Sequence, residues 1–229
     1  MRTHRQLPSG ATFLALLAAA APALAGAVTG RVQVKARPER PPAPAVVYAE
    51  ALDGRAPPRP GSFKLAQRNK SFAPRLLAVP AGATVEFPNE DQIFHNVFSL
   101  SRPSPFDLGL YRAGSSKARA FAEPSVYRVF CNIHPQMTAV ILVVPTSFVA
   151  EVDASGAYRL DLPPGRYRVT AWSERSQPAT AEITVSSAAV SAPELQLDES
   201  QFVELPHKNK FGQDYPKESY DPLKDRKPR

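Results

Sequence analysis

The 229-residue chain contains a single cysteine, Cys131, so no disulfide can form within it. That cysteine is an inert buried thiol, a reactive one or a metal ligand. Glycine is scarce, 11 residues, which excludes a collagen-like repeat, and Pro and Gly together stay below the level of low-complexity chains. Hydrophobic residues make up 43% and charged residues 21%, the balance of a globular chain long enough for one or two domains. No apolar run reaches the roughly 20 residues of a membrane span. The strongest, Ala11 to Ala21, follows Arg2, His4 and Arg5 and precedes Ala23-Leu24-Ala25. This three-part layout predicts a signal peptide over residues 1–25, cleavage before Gly26 and export to the periplasm, with no membrane span afterwards. The net charge of +7 falls to +5 when those residues leave, a modest excess spread along the chain, so no nucleic-acid partner is expected.

After residue 26 almost nothing has helical periodicity. Short alternating runs recur between Pro, Gly and Asn breakers, the pattern of an all-β sandwich or barrel. Residues 26–60 offer two strands, around Gly30–Val34 and Ala45–Tyr48, flanking a Pro-rich loop from Arg37 to Pro44. Residues 61–145 form a first unit with strands at Leu76–Val79, Thr84–Phe87, Asn96–Phe98 and Tyr127–Cys131, closed by the all-apolar Ala139–Val144, which is expected to be buried on both faces. Residues 146–199 form a second, smaller sandwich. In it Ala157–Leu162 and Tyr167–Trp172 alternate strictly around the turn Pro163-Pro164-Gly165, which predicts a hairpin, with Trp172, Tyr158 and Tyr167 expected in its core. The early strands are candidates to complete this sheet. Residues 200–229 are charged and poor in apolar side chains, which predicts a disordered tail.

After the signal segment the chain has one Cys, one Met and three His, and Cys131-Asn132-Ile133-His134-Pro135-Gln136-Met137 holds one of each within seven residues. This Cys-x2-His-x2-Met spacing lies between two apolar strands, where a tight loop at the end of a sandwich brings side chains to a point. His95, from another inter-strand segment, supplies a second imidazole; His207, in the polar tail, is a poor competitor. Two imidazoles, a thiolate and a weak axial thioether are the ligand set of a blue-copper electron-transfer site. Zinc is the nearest rival, though a thioether gains it little. A Cys–His nucleophilic dyad lacks a local signature here, and a filler cysteine would make His95 and Met137 coincidences. Asn96 and Asn132, each beside a ligand, are suited to clamping the loops, or are ordinary turn asparagines. Pro135 and Gln136 should border the outer edge of His134. Glu90 and Asp91 read as a solvated face or turn cap.

At these residues the chain resembles the cupredoxins. Val126 to Val144 is similar to the closing strand, ligand loop and last strand of amicyanin and plastocyanin, and His95-Asn96 resembles their first-ligand pair. Residues 27–200 further resemble exported bacterial proteins labelled methylamine utilization proteins, in which a plastocyanin-like domain is joined to a carboxypeptidase-regulatory-like sandwich. Phe72-Ala73-Pro74, Val85-Glu86-Phe87-Pro88-Asn89, Phe106-Asp107-Leu108 and Pro163-Pro164-Gly165-Arg166-Tyr167 carry that likeness. The resemblance implies a Greek-key cupredoxin sandwich and a second small β-sandwich. It also implies one type 1 copper ion on His95, Cys131, His134 and Met137, with Asn96 steadying the loops and electrons passing near Pro135 and Gln136. The expected function is single-electron transfer without bond chemistry, with a cytochrome or dehydrogenase as redox partner. A copper-delivery protein and a structural binding module are the alternatives. Removing residues 206–229 of the expected tail should leave copper binding and melting temperature nearly unchanged.

Overall fold

A computed structural model describes residues 26–54 and 57–215; the expected signal peptide lies outside them. The described residues are all-β, with no helix, and none is therefore long and apolar enough to cross a membrane. The chain opens with β1 (Gly26–Lys35) and β2 (Ala45–Ala51). Next come β3 (Ser62–Lys64), β4 (Ala66–Arg68), β5 (Ser71–Ala73), β6 (Leu76–Pro80), β7 (Ala83–Pro88) and β8 (His95–Ser99). β9 (Phe106–Tyr111), β10 (Ser116–Phe121), β11 (Ser125–Phe130) and β12 (Thr138–Val144) complete the middle of the chain. The last part holds β13 (Val149–Glu151), β14 (Ala157–Leu162), β15 (Gly165–Ser173), β16 (Ala179–Val185), β17 (Val190–Ser191) and β18 (Leu195–Asp198).

Two sandwiches result. In the first, a five-stranded sheet ordered β6-β12-β11-β8-β9 faces a three-stranded sheet ordered β10-β7-β3, with Leu65, Val85, Phe87, Phe121, Tyr127, Val129 and Ile141 in the core between them. In the second, β14-β1-β17, with β18 also on β1, faces β13-β2-β15-β16 around Val28, Val47, Tyr158, Leu160, Leu162, Tyr167 and Val169. The early strands therefore pair with the late ones, β1 antiparallel to β14 and β2 antiparallel to β15. Between them the Pro-rich loop has no strand. It is held at its end by the buried Glu199, whose carboxylate accepts from the Ala43 amide (3.0 Å) and the Ser173 hydroxyl (2.7 Å).

β12 explains how the two sandwiches meet. A strand presents alternate residues to opposite faces: Ala139, Ile141 and Val143 enter the first core, while Val140, Leu142 and Val144 pack with Leu76, Val46 and Trp172 in a separate apolar layer. This is the double burial expected of the run Ala139–Val144. Trp172 differs from expectation. On β15 it has the opposite parity to Tyr167, Val169 and Ala171, so it seals the layer between the sandwiches rather than the core of the second.

Candidate metal centre

β11 and β12 are antiparallel neighbours whose last facing pair is Phe130 and Thr138, so residues 131–137 must reverse the chain in one short loop. The Cys131 amide donates to the Met137 carbonyl at 3.2 Å, and the Met137 amide to the His134 carbonyl at 3.0 Å. β8 lies on the other side of β11 and places His95, its first residue, against this loop. Cys131, His95, His134 and Met137 are all buried, and Cys131 and Met137 belong to the same apolar cluster. Asn132, Ile133 and Pro135 are half-buried, and Gln136 is exposed.

Three donor atoms converge. His95 Nδ1 lies 3.1 Å from His134 Nδ1, and Cys131 Sγ lies 4.0 Å and 3.6 Å from them respectively. A point in the plane of this triangle is about 2.1 Å from all three atoms, within the roughly 2.0–2.3 Å over which imidazole nitrogen and thiolate sulfur bind a first-row metal. The geometry admits copper or zinc; the donor chemistry separates them. Asp91, the carboxylate that touches the site among the described residues, offers no fourth ligand. Its Oδ1 accepts from the Asn69 amide (2.6 Å) and its Oδ2 from the Lys70 amide (2.9 Å) and His95 Nε2 (2.7 Å), on the ring edge away from the triangle. Met137, buried in the same loop and in the same apolar cluster as Cys131, carries a soft thioether, which suits copper.

Asp91 does more than the turn cap expected of it. Its carboxylate accepts a hydrogen bond from Nε2–H of His95, which keeps the proton on Nε2 and leaves Nδ1 as the lone-pair donor facing Cys131. The hairpin tip Asn69-Lys70, both residues left-handed at φ of 54° and 52°, aims two successive amides at the same carboxylate. Asn89, itself buried, steadies the loop from below, donating to the Ile93 carbonyl (2.8 Å) and accepting from the Asp91 amide (3.1 Å). Glu90 pairs instead with Arg68. The spacing Asp91-x3-His95 was the available signal, since a ligating imidazole usually gives its other N–H to a carboxylate.

The electrostatics follow from burial. It pushes the Cys131 thiol upward, against the opposing pull of the Asn96, Ile133 and His134 amides at the sulfur. It lowers His95, with Asp91 opposing, and it brings His134 down to about 4, helped by the neighbouring His95. Burial would raise the Asp91 carboxyl, but the Lys70 amide, His95 and the Asn69 amide outweigh it and hold it low. Both imidazoles are thus neutral donors near neutral pH.

Asn96 and Asn132 lie in one polar chain. Asn96 Oδ1 accepts from the Asn132 amide (3.2 Å) and Asn96 Nδ2 donates to Asp107 Oδ1 (2.7 Å). Two expectations change here. His134 is 1% exposed, so Pro135 and Gln136 do not border an open histidine edge. The segment expected to be disordered also lies against the site as far as the description runs. His207 Nε2 donates to the Pro135 carbonyl (2.7 Å), the Lys210 amide to Asn132 Oδ1 (3.1 Å) and the Tyr215 hydroxyl to the Cys131 carbonyl (2.9 Å). Burial and the nearby Cys131 push the Tyr215 phenol up to about 12, so it remains a donor. The polar composition of this stretch hid it, because hydrogen bonds and two ring contacts rather than a run of apolar side chains hold it in place. Residues 216–229 of the expected tail lie outside the described residues.

No family model matches the chain and no curated protein matches it. Similar solved structures include a copper-containing nitrite reductase from Thermus scotoductus SA-01, 31% identical over 38% of this chain and 23% of that one, with a TM-score of 0.35. The matched part thus spans less than a quarter of the reductase. A purple cupredoxin from Nitrosopumilus maritimus is 22% identical over 36% of this chain and 99% of its own, TM-score 0.34. A mutant of amicyanin in its Cu(I) form is 18% identical over 42% of this chain and 99% of its own, TM-score 0.35.

Proposed function

We propose that this chain is an exported copper protein that carries single electrons between redox partners and catalyses no bond chemistry itself. The observation that carries this reading is the buried triangle of one thiol and two imidazole Nδ1 atoms, with Met137 buried in the same loop. Cys131, His95 and His134 would hold the ion, with the Met137 thioether as a weak further donor, one type 1 copper per chain. Bound there, copper supplies a one-electron couple between Cu(II) and Cu(I). The protein's part is to keep the donors still. The seven-residue loop is closed by its own backbone bonds, and His95 is fixed by Asp91. Such preorganisation leaves little to rearrange when charge changes, which favours rapid exchange with a partner such as a cytochrome or a dehydrogenase. The signal layout of residues 1–25 supports a periplasmic location. On this reading the second sandwich would be a carboxypeptidase-regulatory-like domain, as the sequence resemblance to the methylamine utilization proteins implies.

A copper-delivery protein would use the same donors, and the two functions separate by experiment. We expect a reversible one-electron voltammogram and copper loss to a moderate-affinity chelator over hours. Irreversible voltammetry with complete transfer within seconds would overturn electron carriage in favour of delivery. A chain that binds no copper would leave the structural binding module.

A further inference from the structure

The outer side of the ligand loop is occupied by the chain itself. Tyr215, His207 and Lys210 hydrogen-bond to Cys131, Pro135 and Asn132, so three of the seven loop residues are tied to one nine-residue strap. The His207 ring stacks on Phe130, the residue before Cys131, at 4.2 Å between centroids and 23° between planes, and Tyr215 meets the His207 ring edge-on at 5.1 Å. Lys210 Nζ pairs with Asp107 Oδ2 at 2.7 Å. This closes a ring in which Lys210 binds Asn132, Asn132 binds Asn96, Asn96 binds Asp107 and Asp107 binds Lys210. The strap has its own shape. Asn209, 8% exposed, accepts the Phe211 and Gln213 amides on its side chain and the Gly212 amide on its carbonyl.

We propose that residues 207–215 are a built-in cap that locks the Cys131–Met137 loop, so that the donor side chains meet solvent, a metal acceptor or a partner only after the cap lifts. Cys131 and His134 can be exposed only if their loop leaves the sandwich end, and that motion must break the Tyr215, His207 and Lys210 bonds together with the ring stack. Bonds broken in one step multiply the rarity of the open state. The cap rests on the proposed copper function only for what it would regulate, the exchange of the ion; the lock on the loop is a property of the metal-free chain as well.

The test therefore begins without metal. The single cysteine makes the labelling rate with an aromatic disulfide reagent a direct report on opening at Cys131. Four forms are compared with the full chain: one ending at Tyr215, one ending at Leu205, and the full-length variants Tyr215→Phe and His207→Ala. The cap predicts an unchanged rate when only residues 216–229 are removed, a rate at least about tenfold higher when the strap is removed as well, and intermediate rates for the two point variants. If the chain ending at Leu205 does not fold, the folded point variants decide. Rates within twofold of the full chain in the strapless form and both point variants would overturn the cap. A chain ending at Tyr215 that labels as fast as the strapless one would overturn its assignment to residues 207–215. In a second arm, copper extraction by a chelator should follow the same order. Failure of the full chain to bind copper would defeat the copper reading while leaving the labelling result to judge the cap.

Discussion

Asp91 decides which nitrogen of His95 faces the sulfur. Replacing it with Asn keeps a similar shape but puts a neutral amide opposite Nε2, where it no longer favours the required tautomer. Asp91→Asn should lower copper affinity by about 10–100-fold in a competition titration, with the far-ultraviolet spectrum unchanged. An affinity within twofold of the unaltered protein would show that Asp91 serves the Asn69-Lys70 turn alone. Met137→Leu should retain copper and raise the potential measured by voltammetry, because the lost thioether is a weak donor to the higher charge state. The imidazoles predict a pH dependence for the metal-free protein. His95 and His134 are held below their ordinary value, so the unfolded chain takes up protons first as pH falls. Their contribution to stability is complete above about pH 6.5 and is lost as pH drops toward 4, so urea midpoints should decline across that window. A midpoint flat from pH 7 to 4 would contradict neutral, buried histidines.

At the scale of elements, β12 carries two interfaces at once. Leu142 is 5% exposed in the layer between the sandwiches, and Leu142→Ala should cost about 2–5 kcal/mol in urea unfolding of the metal-free protein. A loss below about 0.5 kcal/mol would mean that this layer contributes little. The same strand shows what the sequence makes legible. Its uninterrupted apolar run announced burial on both faces, and the strict alternation of β14 and β15 announced two half-buried strands. They do not form the hairpin expected of them: β14 pairs with β1 and β15 with β2 and β16, so the turn between them crosses from one sheet to the facing one. β10 did not announce itself. It is an edge strand whose pattern Ser116-Lys117-Ala118-Arg119-Ala120-Phe121 buries one large side chain, and its pairing with β7 comes from the partner strand rather than from its own composition. β3, β4 and β5, three residues each, are too short to show a period.

Across the whole molecule, the donors were readable because copper chemistry demands rare residue types, and a chain with one cysteine concentrates that demand in one place. Asp91 and the strap were not readable, because carboxylates and polar segments are common and only tertiary geometry separates a positioning group from a solvated one. Asp107 belongs to the same class: a polar residue on β9 that holds Asn96 from one side and Lys210 from the other. The sandwich end is therefore assembled from five stretches of chain, residues 69–70, 89–96, 107, 131–137 and 207–215.

The central claim is that Cys131, His95 and His134 hold one copper ion through a short thiolate bond, and its most direct test is an optical titration of the full chain with Cu(II). The account predicts an intense visible band, from charge transfer between the thiolate and the metal, that saturates at one equivalent and is absent in Cys131→Ser. A titration that yields no intense visible band, or one that persists in Cys131→Ser, would contradict it.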